Sequence, residues 1–490
     1  MKDLKSRTLR GGVAKGGAQA ANLLLRLGCL VVLARLLEPT DFGLVGMVTA
    51  ITGVLALFRE FGLSLATIQR LEVTEAQTST LFWVNVAVGV ALFLLSVAVA
   101  PFVASFYREP RLTVVMMVLG LAFVFNAGGV QHSALLQRQM RFTALAVIEV
   151  FSLLISSAIS LLLAVVGFGY WALVAWSVTL PLASTIQLWI YSRWVPGRPT
   201  RNAGAGSLLR FGGLVTLNTL VVYVAYNLDK VLLGRFWGAE VVGIYGRAFQ
   251  LVTMPTEQIN GTFGSIAIAL LSRVQDDRNR LWAYFLKSYS LVLAVTVPVA
   301  ILCAIFADAI ILTMFGPNWS NAVPVFRYLA PTVLVLAIIN PPGWLLVALG
   351  MIPRSLKVAL VLAPVVITGC VIGLPYGANG VALGYSIAMV SWVVPHLYWC
   401  FHGMGISMRD VALAIGRPLV SGIAGAAVTL GALAVAGEGP PPFVILIIGS
   451  AIFMAVYLSV LLFVMKQNAF YLDIIRGLRE RPTENAFVQP

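Results

Sequence analysis

Residues 10–46 read RGGVAKGGAQAANLLLRLGCLVVLARLLEPTDFGLVG, and residues 210–246 read RFGGLVTLNTLVVYVAYNLDKVLLGRFWGAEVVGIYG. At this offset of 200 positions Arg10 aligns with Arg210, Gly12 with Gly212, Val31 with Val231, Leu33 with Leu233, Arg35 with Arg235, Gly43 with Gly243 and Gly46 with Gly246. Each stretch is an apolar run long enough to cross a bilayer, then a short turn and the start of a second run. Seven identities clustered at one offset mark two homologous halves. Both runs leave a basic flank in the same direction, so the repeat is parallel, with its axis along the membrane normal. Transporters built this way bind substrate between the halves and rock them for alternating access.

The rest of the chain has the same character. Of its 490 residues 60% are hydrophobic and 11% charged, with a mean hydropathy of +0.93, against roughly 45–50% and about 25% in soluble domains. Apolar runs bounded by charges or Gly/Pro clusters fall at 12–36, 43–68, 79–104, 112–136, 143–166, 169–191, 211–234, 243–271, 288–307, 320–349, 358–374, 378–401, 418–436 and 443–465, each near the roughly 20 residues a spanning helix needs. The predicted fold class is an all-α polytopic membrane protein, about 14 transmembrane helices in two parallel-repeat lobes. Residues 1–191 form an N-lobe with spans one to six, 192–210 a cytoplasmic inter-lobe linker, and 211–401 a C-lobe with spans seven to twelve. Residues 402–465 add spans thirteen and fourteen, and 466–490 a cytoplasmic tail. The interrupted apolar run at the start, with no small-residue cleavage site after it, reads as a retained first span rather than a signal peptide.

The formal net charge of +14 is mainly a topology signal. With the N-terminus inside, 23 of the 33 Lys and Arg residues fall on inside segments, which puts both termini in the cytoplasm. No nucleic-acid partner is needed to explain it, and attraction to anionic membrane lipid follows from it. Outer loops of a few residues, such as Gly167 to Gly169, leave no room for the large external loop of a membrane glycosyltransferase or polymerase. Cys29, Cys303, Cys370 and Cys400 lie far apart inside apolar runs and read as core. His132, His396 and His402 form no cluster, and no ATP-binding motif is present; neither a metal nor another cofactor is expected. Trp171, Trp189, Tyr191, Trp194 and Trp319 sit near run ends, as an interfacial aromatic belt would. Asn340, Pro341, Pro342 and Gly343 interrupt the tenth run, where the missing amide donors predict a kink or hinge.

Four runs carry polar stripes. Lys15, Gln19, Asn22 and Arg26 share one face of the first span; Thr219, Tyr223, Tyr226 and Lys230 repeat the pattern in the seventh, with Asp229 beside them. The eighth places Arg247, Gln250, Glu257 and Gly264 on one stripe, with Asn260 close by. The second shows Gly46, Gly53, Ala56, Glu60, Ser64 and Thr67, flanked by Arg59. An ion at mid-bilayer costs at least about 2.5–3.5 kcal/mol, so these faces turn to a protein interior or a watered cavity. Lys15 is close enough to the inner end to snorkel, Arg327 is near an outer end and can do the same, and Asp229 with Lys230 has a structural reading as glue between helices. Glu149 is a lone acid in the fifth span, either hydrogen-bonded structurally or part of a cation site. Across the stripes Lys15, Arg26, Arg59, Lys230 and Arg247 outnumber Glu60, Asp229 and Glu257, so the cavity favours an anion such as a diphosphate held by Arg forks and Lys charge. Gln19, Asn22, Tyr223, Tyr226, Gln250 and Asn260 are the uncharged polar groups of these faces, and Glu60, Asp229 and Glu257 their acids.

LARLLEPTDFGLVGMVTAITG (Leu33 to Gly53) and FGLSLATIQR (Phe61 to Arg70) resemble the start of bacterial polysaccharide exporters of the O-antigen and exopolysaccharide flippase type. GFGYWALV (Gly167 to Val174), LLVALGMIPRSLK (Leu345 to Lys357) and YGANGVALGYS (Tyr376 to Ser386) agree, with Met351 where the family pattern has Arg. The resemblance implies membership of the multidrug/oligosaccharidyl-lipid/polysaccharide exporter superfamily, a V-shaped two-lobe fold and a bacterial inner-membrane location. It also implies flipping of an undecaprenyl-pyrophosphate-linked oligosaccharide repeat unit, with no covalent step; Gln19, Asn22, Tyr223, Tyr226, Gln250 and Asn260 are then available to its sugar hydroxyls, and the energy is expected from an ion gradient through Glu60, Asp229 or Glu257 or from steady removal of product. The expected partners are that lipid-linked substrate, membrane lipid, and a polysaccharide polymerase with its assembly proteins; the chain is expected to act as a monomer. A cation-coupled multidrug or small-solute antiporter of the same superfamily is the alternative.

Overall fold

The computed structural model describes residues 21–58, 74–199, 206–436, 441–468 and 471, with backbone alone at 206–219, 221, 260, 262, 265 and 436. The described residues are helical throughout, with short turns between. In chain order they form α1 (21–36), α2 (Pro39–Leu57), α3 (Glu75–Tyr107), α4 (Arg111–Arg138), α5 (Phe142–Val165), α6 (Trp171–Ser192) and α7 (Gly206–Arg273). Then come α8 (Arg278–Ile305), the short α9 (Ala307–Met314), α10 (Ala322–Ala348), α11 (Ile352–Gly373), α12 (Gly377–Phe401), α13 (Met408–Ala436) and α14 (Pro442–Ser459). Ten segments among the described residues are long and apolar enough to cross a membrane. One of them, Ile352–Phe401, holds both α11 and α12. Large apolar side chains are exposed along these helices, Phe102, Val165 and Ile190 among them, as a lipid-facing surface requires.

α7 doubles back on itself. Its backbone leaves helical geometry at Gly238, where φ is 85° and ψ −176°, a region essentially reserved for glycine. Tyr245 donates a hydrogen bond of 2.6 Å to Asp229 Oδ2, although 16 residues of straight helix would separate them by about 24 Å. The two arms therefore run antiparallel as the seventh and eighth spans. With these arms counted separately and α9 set aside, the described residues hold fourteen long helices, one for each apolar run.

Several helices start earlier than their apolar runs. α8 begins at Arg278 rather than 288 and α13 at Met408 rather than 418. Hydropathy marks where the oily face begins, whereas the backbone helix begins where its first amides are capped. Asp277 caps α8 by accepting the Arg280 amide at 3.1 Å, and Thr74 and Gln77 form a reciprocal capping box at α3. In the LLEPTDFG block, Pro39 occupies the first turn of α2 and Asp41 accepts the Glu38 amide at 3.2 Å.

Proline inside a helix leaves the carbonyl four residues earlier without its donor. Pro342 frees Ile338, and the Tyr289 hydroxyl donates to that oxygen at 3.0 Å; His396 Nε2 lies 3.1 Å from the neighbouring Ile339 carbonyl. α10 runs as one helix through the Asn-Pro-Pro-Gly stretch. Pro298 frees Ala294, and the Tyr457 hydroxyl donates to it at 2.8 Å. Tyr289→Phe and Tyr457→Phe each strand a buried carbonyl, at a cost of about 1–3 kcal/mol. Both are expected to lower the thermal midpoint of the detergent-solubilised protein, while Tyr284→Phe, at a 40% exposed position, leaves it unchanged. Equal midpoints for all three variants would remove this role.

The chain divides into two compact units. The first comprises Met1–Arg247, Met314–Ala322 and Ala359–Tyr385. In it α3 packs on α4, α4 on α6 and α5 on α6, and the buried Ser152, Ser156, Ser157 and Ser160 line one side of α5. α11 and α12 meet through paired small-residue motifs, Gly369/Gly373 and Gly380/Gly384. A Cβ at Gly373 would fall 2.0 Å from the Gly380 oxygen, and one at Gly384 would fall 2.1 Å from the Gly369 oxygen, an approach only glycine permits. The second unit comprises Ala248–Thr313, Val323–Val358 and Ser386–Pro490. There α13 packs on α8 and α14, around Phe453, Tyr457 and Leu461. Arg327 pairs with Asp308, and both side chains stay at least half exposed.

Candidate functional site

Both arms of α7 press on α2, and the contact keeps the offset of the repeat. A Cβ at Gly43 would fall 1.7 Å from the Ala239 carbonyl oxygen; a Cβ at Gly243 would fall 1.8 Å from the Pro39 oxygen. Positions 39 and 239 are themselves one repeat apart, so the crossing is a reciprocal, two-fold-like contact of backbone on backbone. On the other arm, the Tyr223 hydroxyl donates toward the Thr49 and Ala50 carbonyls at 3.2 and 3.3 Å. Gly53 makes that possible, because a Cβ there would sit 1.7 Å from the Tyr223 oxygen. Gly46, where a Cβ would lie 3.3 Å from a Val242 methyl, and Gly53 were read from sequence only as members of a stripe, yet both face α7.

One turn beyond Gly243, the Arg247 guanidinium carbon lies 4.4 Å from the centre of the Phe42 ring. Phe42 is buried and stands edge-on to Trp319 at 5.3 Å, and Trp319 donates from its indole to the Ala34 carbonyl at 2.7 Å. Trp319 is fully buried rather than part of an interfacial belt; the helical turn Pro317–Trp319 inserts it beside α1 and α2. This shelf fixes where Arg247 sits, with the ring face supplying about 0.5–2 kcal/mol.

The remaining predicted residues separate into buried and exposed groups. Asp229 is buried, and Oδ1 accepts the Lys230 amide at 2.7 Å while Oδ2 accepts the Tyr245 hydroxyl. Tyr385 and Cys370 are buried within electrostatic reach of it. Lys230 Nζ donates to Asn227 at 2.9 Å, and Asn227 donates to the Tyr223 carbonyl at 2.9 Å. These bonds form a polar ladder along the first arm. Tyr226 is half-buried on the same arm. Asn22 is 5% exposed, and its amide finds no hydrogen-bond partner among the described residues. Arg26 is exposed on α1, and Gln250 and Glu257 are exposed on the second arm of α7; Asn260 lies on that arm as backbone only. Lys15, Gln19, Arg59 and Glu60 lie outside the described residues. Glu149 lines a recess of about 300 Å³ with Ser133, Gln137 and Ser184. Among the described residues, no group of three or more His, Cys, Asp or Glu is placed to hold a metal.

Sequence reasoning missed Phe42, Tyr245, Tyr385 and Asn227, and placed the buried Trp319 in an interfacial belt. Phe42 had a signal, since it sits inside the block that carries the family resemblance. Tyr245 and Tyr385 had none, because an aromatic in an apolar run looks like any other core residue.

Fourteen long helices, a chain repeat and polar faces on paired helices define a polytopic membrane protein with a transporter's architecture. Its fold is that of the solved lipid II flippase MurJ in an inward closed conformation, with a TM-score of 0.72 over 96% of this chain and 100% of that one, at 14% identity. An inward-facing multidrug resistance MATE family transporter matches at a TM-score of 0.60 over 80% of this chain and 95% of that one, also at 14% identity. Residues 32–324 match the family described as polysaccharide biosynthesis protein, and the chain belongs to that family. It is 26% identical to the lipopolysaccharide biosynthesis protein WzxC of Escherichia coli over 85% of each chain. It is 32% identical to the teichuronic acid biosynthesis protein TuaB of Bacillus subtilis over 59% of this chain and 61% of that one. The succinoglycan biosynthesis transport protein ExoT of Rhizobium meliloti is 24% identical over 62% of each. By family the chain belongs with the polysaccharide biosynthesis proteins, and by fold it is similar to solved membrane transporters.

Proposed function

We propose that this protein is an alternating-access flippase that moves undecaprenyl-pyrophosphate-linked oligosaccharide repeat units from the cytoplasmic to the periplasmic leaflet of a bacterial inner membrane. Both termini then lie in the cytoplasm, residues 1–191 and 211–401 act as the two repeat lobes, and residues 192–210 link them. The observation that carries the reading is the cationic balance of the polar faces, with Arg26 exposed at mid-span and Arg247 held on the Phe42 ring. A guanidinium cannot face hydrocarbon cheaply, so an exposed mid-span Arg26 requires a watered volume beside it. Arg26 and Arg247, with Lys15, Arg59 and Lys230, hold the diphosphate; Gln19, Asn22, Tyr226, Gln250 and Asn260 meet the sugars. The Tyr223 hydroxyl is engaged by α2, so its ring rather than its hydroxyl is offered to a sugar. The energy comes from an ion gradient through Glu60, Asp229 or Glu257, or from steady removal of product. A polysaccharide polymerase and its assembly proteins receive the product, and the flippase works as a monomer.

The test is purified protein in sealed vesicles carrying a fluorescent undecaprenyl-diphosphate saccharide. Transfer of the saccharide to the opposite leaflet is expected, with no uptake of a cationic dye. Dye transport abolished by Glu257→Gln, without saccharide transfer, would establish the antiporter instead.

A further inference from the structure

At the end of the bundle where α4 finishes, α5 begins and α6 finishes, a cavity of about 390 Å³ is lined by Arg141, Ile190, Tyr191, Ser192 and Arg193. No carboxylate lines it. Arg141 is anchored through a 2.9 Å hydrogen bond from its guanidinium to the Tyr191 carbonyl, which leaves its other donors available. Arg193 closes α6 in the left-handed region, with φ of 52° and its amide on the Trp189 carbonyl. Among the described residues, none forms a hydrogen bond or ion pair with its side chain. Ser192, between the two arginines, is held by His132 Nδ1 at 2.8 Å, and His132 is buried against Trp189 at 4.5 Å. The floor of the cavity is therefore a fixed turn.

The wall above is apolar and open. Ile190 and Ile186, one helical turn apart on α6, are 64% and 51% exposed, and Tyr191 and Trp189 are exposed beside them. Two guanidiniums at the end of spanning helices, aromatic rings at headgroup depth and an exposed isoleucine track are complementary to one molecule: a lipid with an anionic phosphate head and apolar chains. We propose that this cavity binds the phosphate headgroup of an anionic bilayer phospholipid, with an acyl chain along Ile190 and Ile186. The site lies on α5 and α6, apart from the polar faces of α1, α2 and α7, and does not depend on what those faces carry.

Native mass spectrometry of the full-length protein in detergent micelles doped with phosphatidylglycerol or phosphatidylcholine tests it. The wild type is expected to retain one phosphatidylglycerol in preference to phosphatidylcholine. Arg193→Ala is expected to weaken that retention roughly fivefold and Arg141→Ala/Arg193→Ala roughly 25-fold, near 1 kcal/mol per basic residue. Arg193→Ala leaves the Arg141 to Tyr191 bond in place, so it reads the site even if the double variant folds poorly. Equal retention of phosphatidylglycerol by the wild type and Arg193→Ala, or equal retention of the two lipids by the wild type, overturns the proposal. So does one-for-one displacement by equimolar undecaprenyl phosphate, which would make the cavity a dock for the carrier lipid.

Discussion

Gly43→Ala and Gly243→Ala are each expected to remove most of the transport activity, and Gly246→Ala to leave it near wild type. At Gly43 and Gly243 the added methyl meets a backbone carbonyl of the other helix at 1.7 and 1.8 Å, whereas nothing lies within 4 Å of a Cβ at Gly246. Backbone cannot swing aside as a side chain does, so α2 and the second arm of α7 must separate. Overpacking of this kind costs about 1–3 kcal/mol even where side chains absorb part of it. The two variants should fail to a similar degree, because the contact is reciprocal across the repeat. The measurement is surface-polysaccharide output in a deletion strain, with each variant quantified in the membrane fraction. A damaging Gly246→Ala beside a tolerated Gly243→Ala would mean that the crossing does not control function.

Charge reversal at Arg247 is expected to have the second large effect. A charge-assisted hydrogen bond to phosphate is worth about 1.5–3 kcal/mol, so Arg247→Glu should lower transport by roughly 10- to 150-fold, with added repulsion of the diphosphate. Arg247→Lys keeps the charge without the fork and should fall between wild type and Arg247→Glu. Phe42→Leu removes the ring under the guanidinium but not the cation, and should lose only a few-fold. Should Phe42→Leu prove as damaging as Arg247→Glu, then Arg247 is a packing residue and the diphosphate is held elsewhere.

Much of the architecture was legible because hydropathy and repetition act over many residues. The fourteen runs each correspond to a helix, and the offset that aligns Gly43 with Gly243 reappears as their reciprocal contact. Helix starts were less legible: Arg278 and Met408 lie outside the apolar runs but inside helices, because capping rather than hydropathy sets those ends. The Gly369/Gly373 and Gly380/Gly384 pairs were not read from the sequence, since only the fold shows that they meet. The Asn-Pro-Pro-Gly interruption was legible as lost hydrogen bonds. That Tyr289 supplies one of them depends on a helix about 50 residues away. A stripe gives a face but not its neighbour, so it grouped Asp229 with Lys230 without showing that Asp229 turns inward to Tyr245. Trp319 misled for the same reason, since proximity to a run end does not separate a belt residue from a buried one.

The most direct test of the flippase assignment is the face on which undecaprenyl-linked saccharides reside in cells. A deletion strain complemented with wild type or Arg26→Glu would be analysed by mass spectrometry of its lipid-linked saccharides, with a periplasmic glycosidase reporting exposure. Complete repeat units protected from the glycosidase in the deletion and the Arg26→Glu strain, and accessible with wild type, are the predicted result. Repeat units that reach the glycosidase equally in all three strains would contradict the assignment.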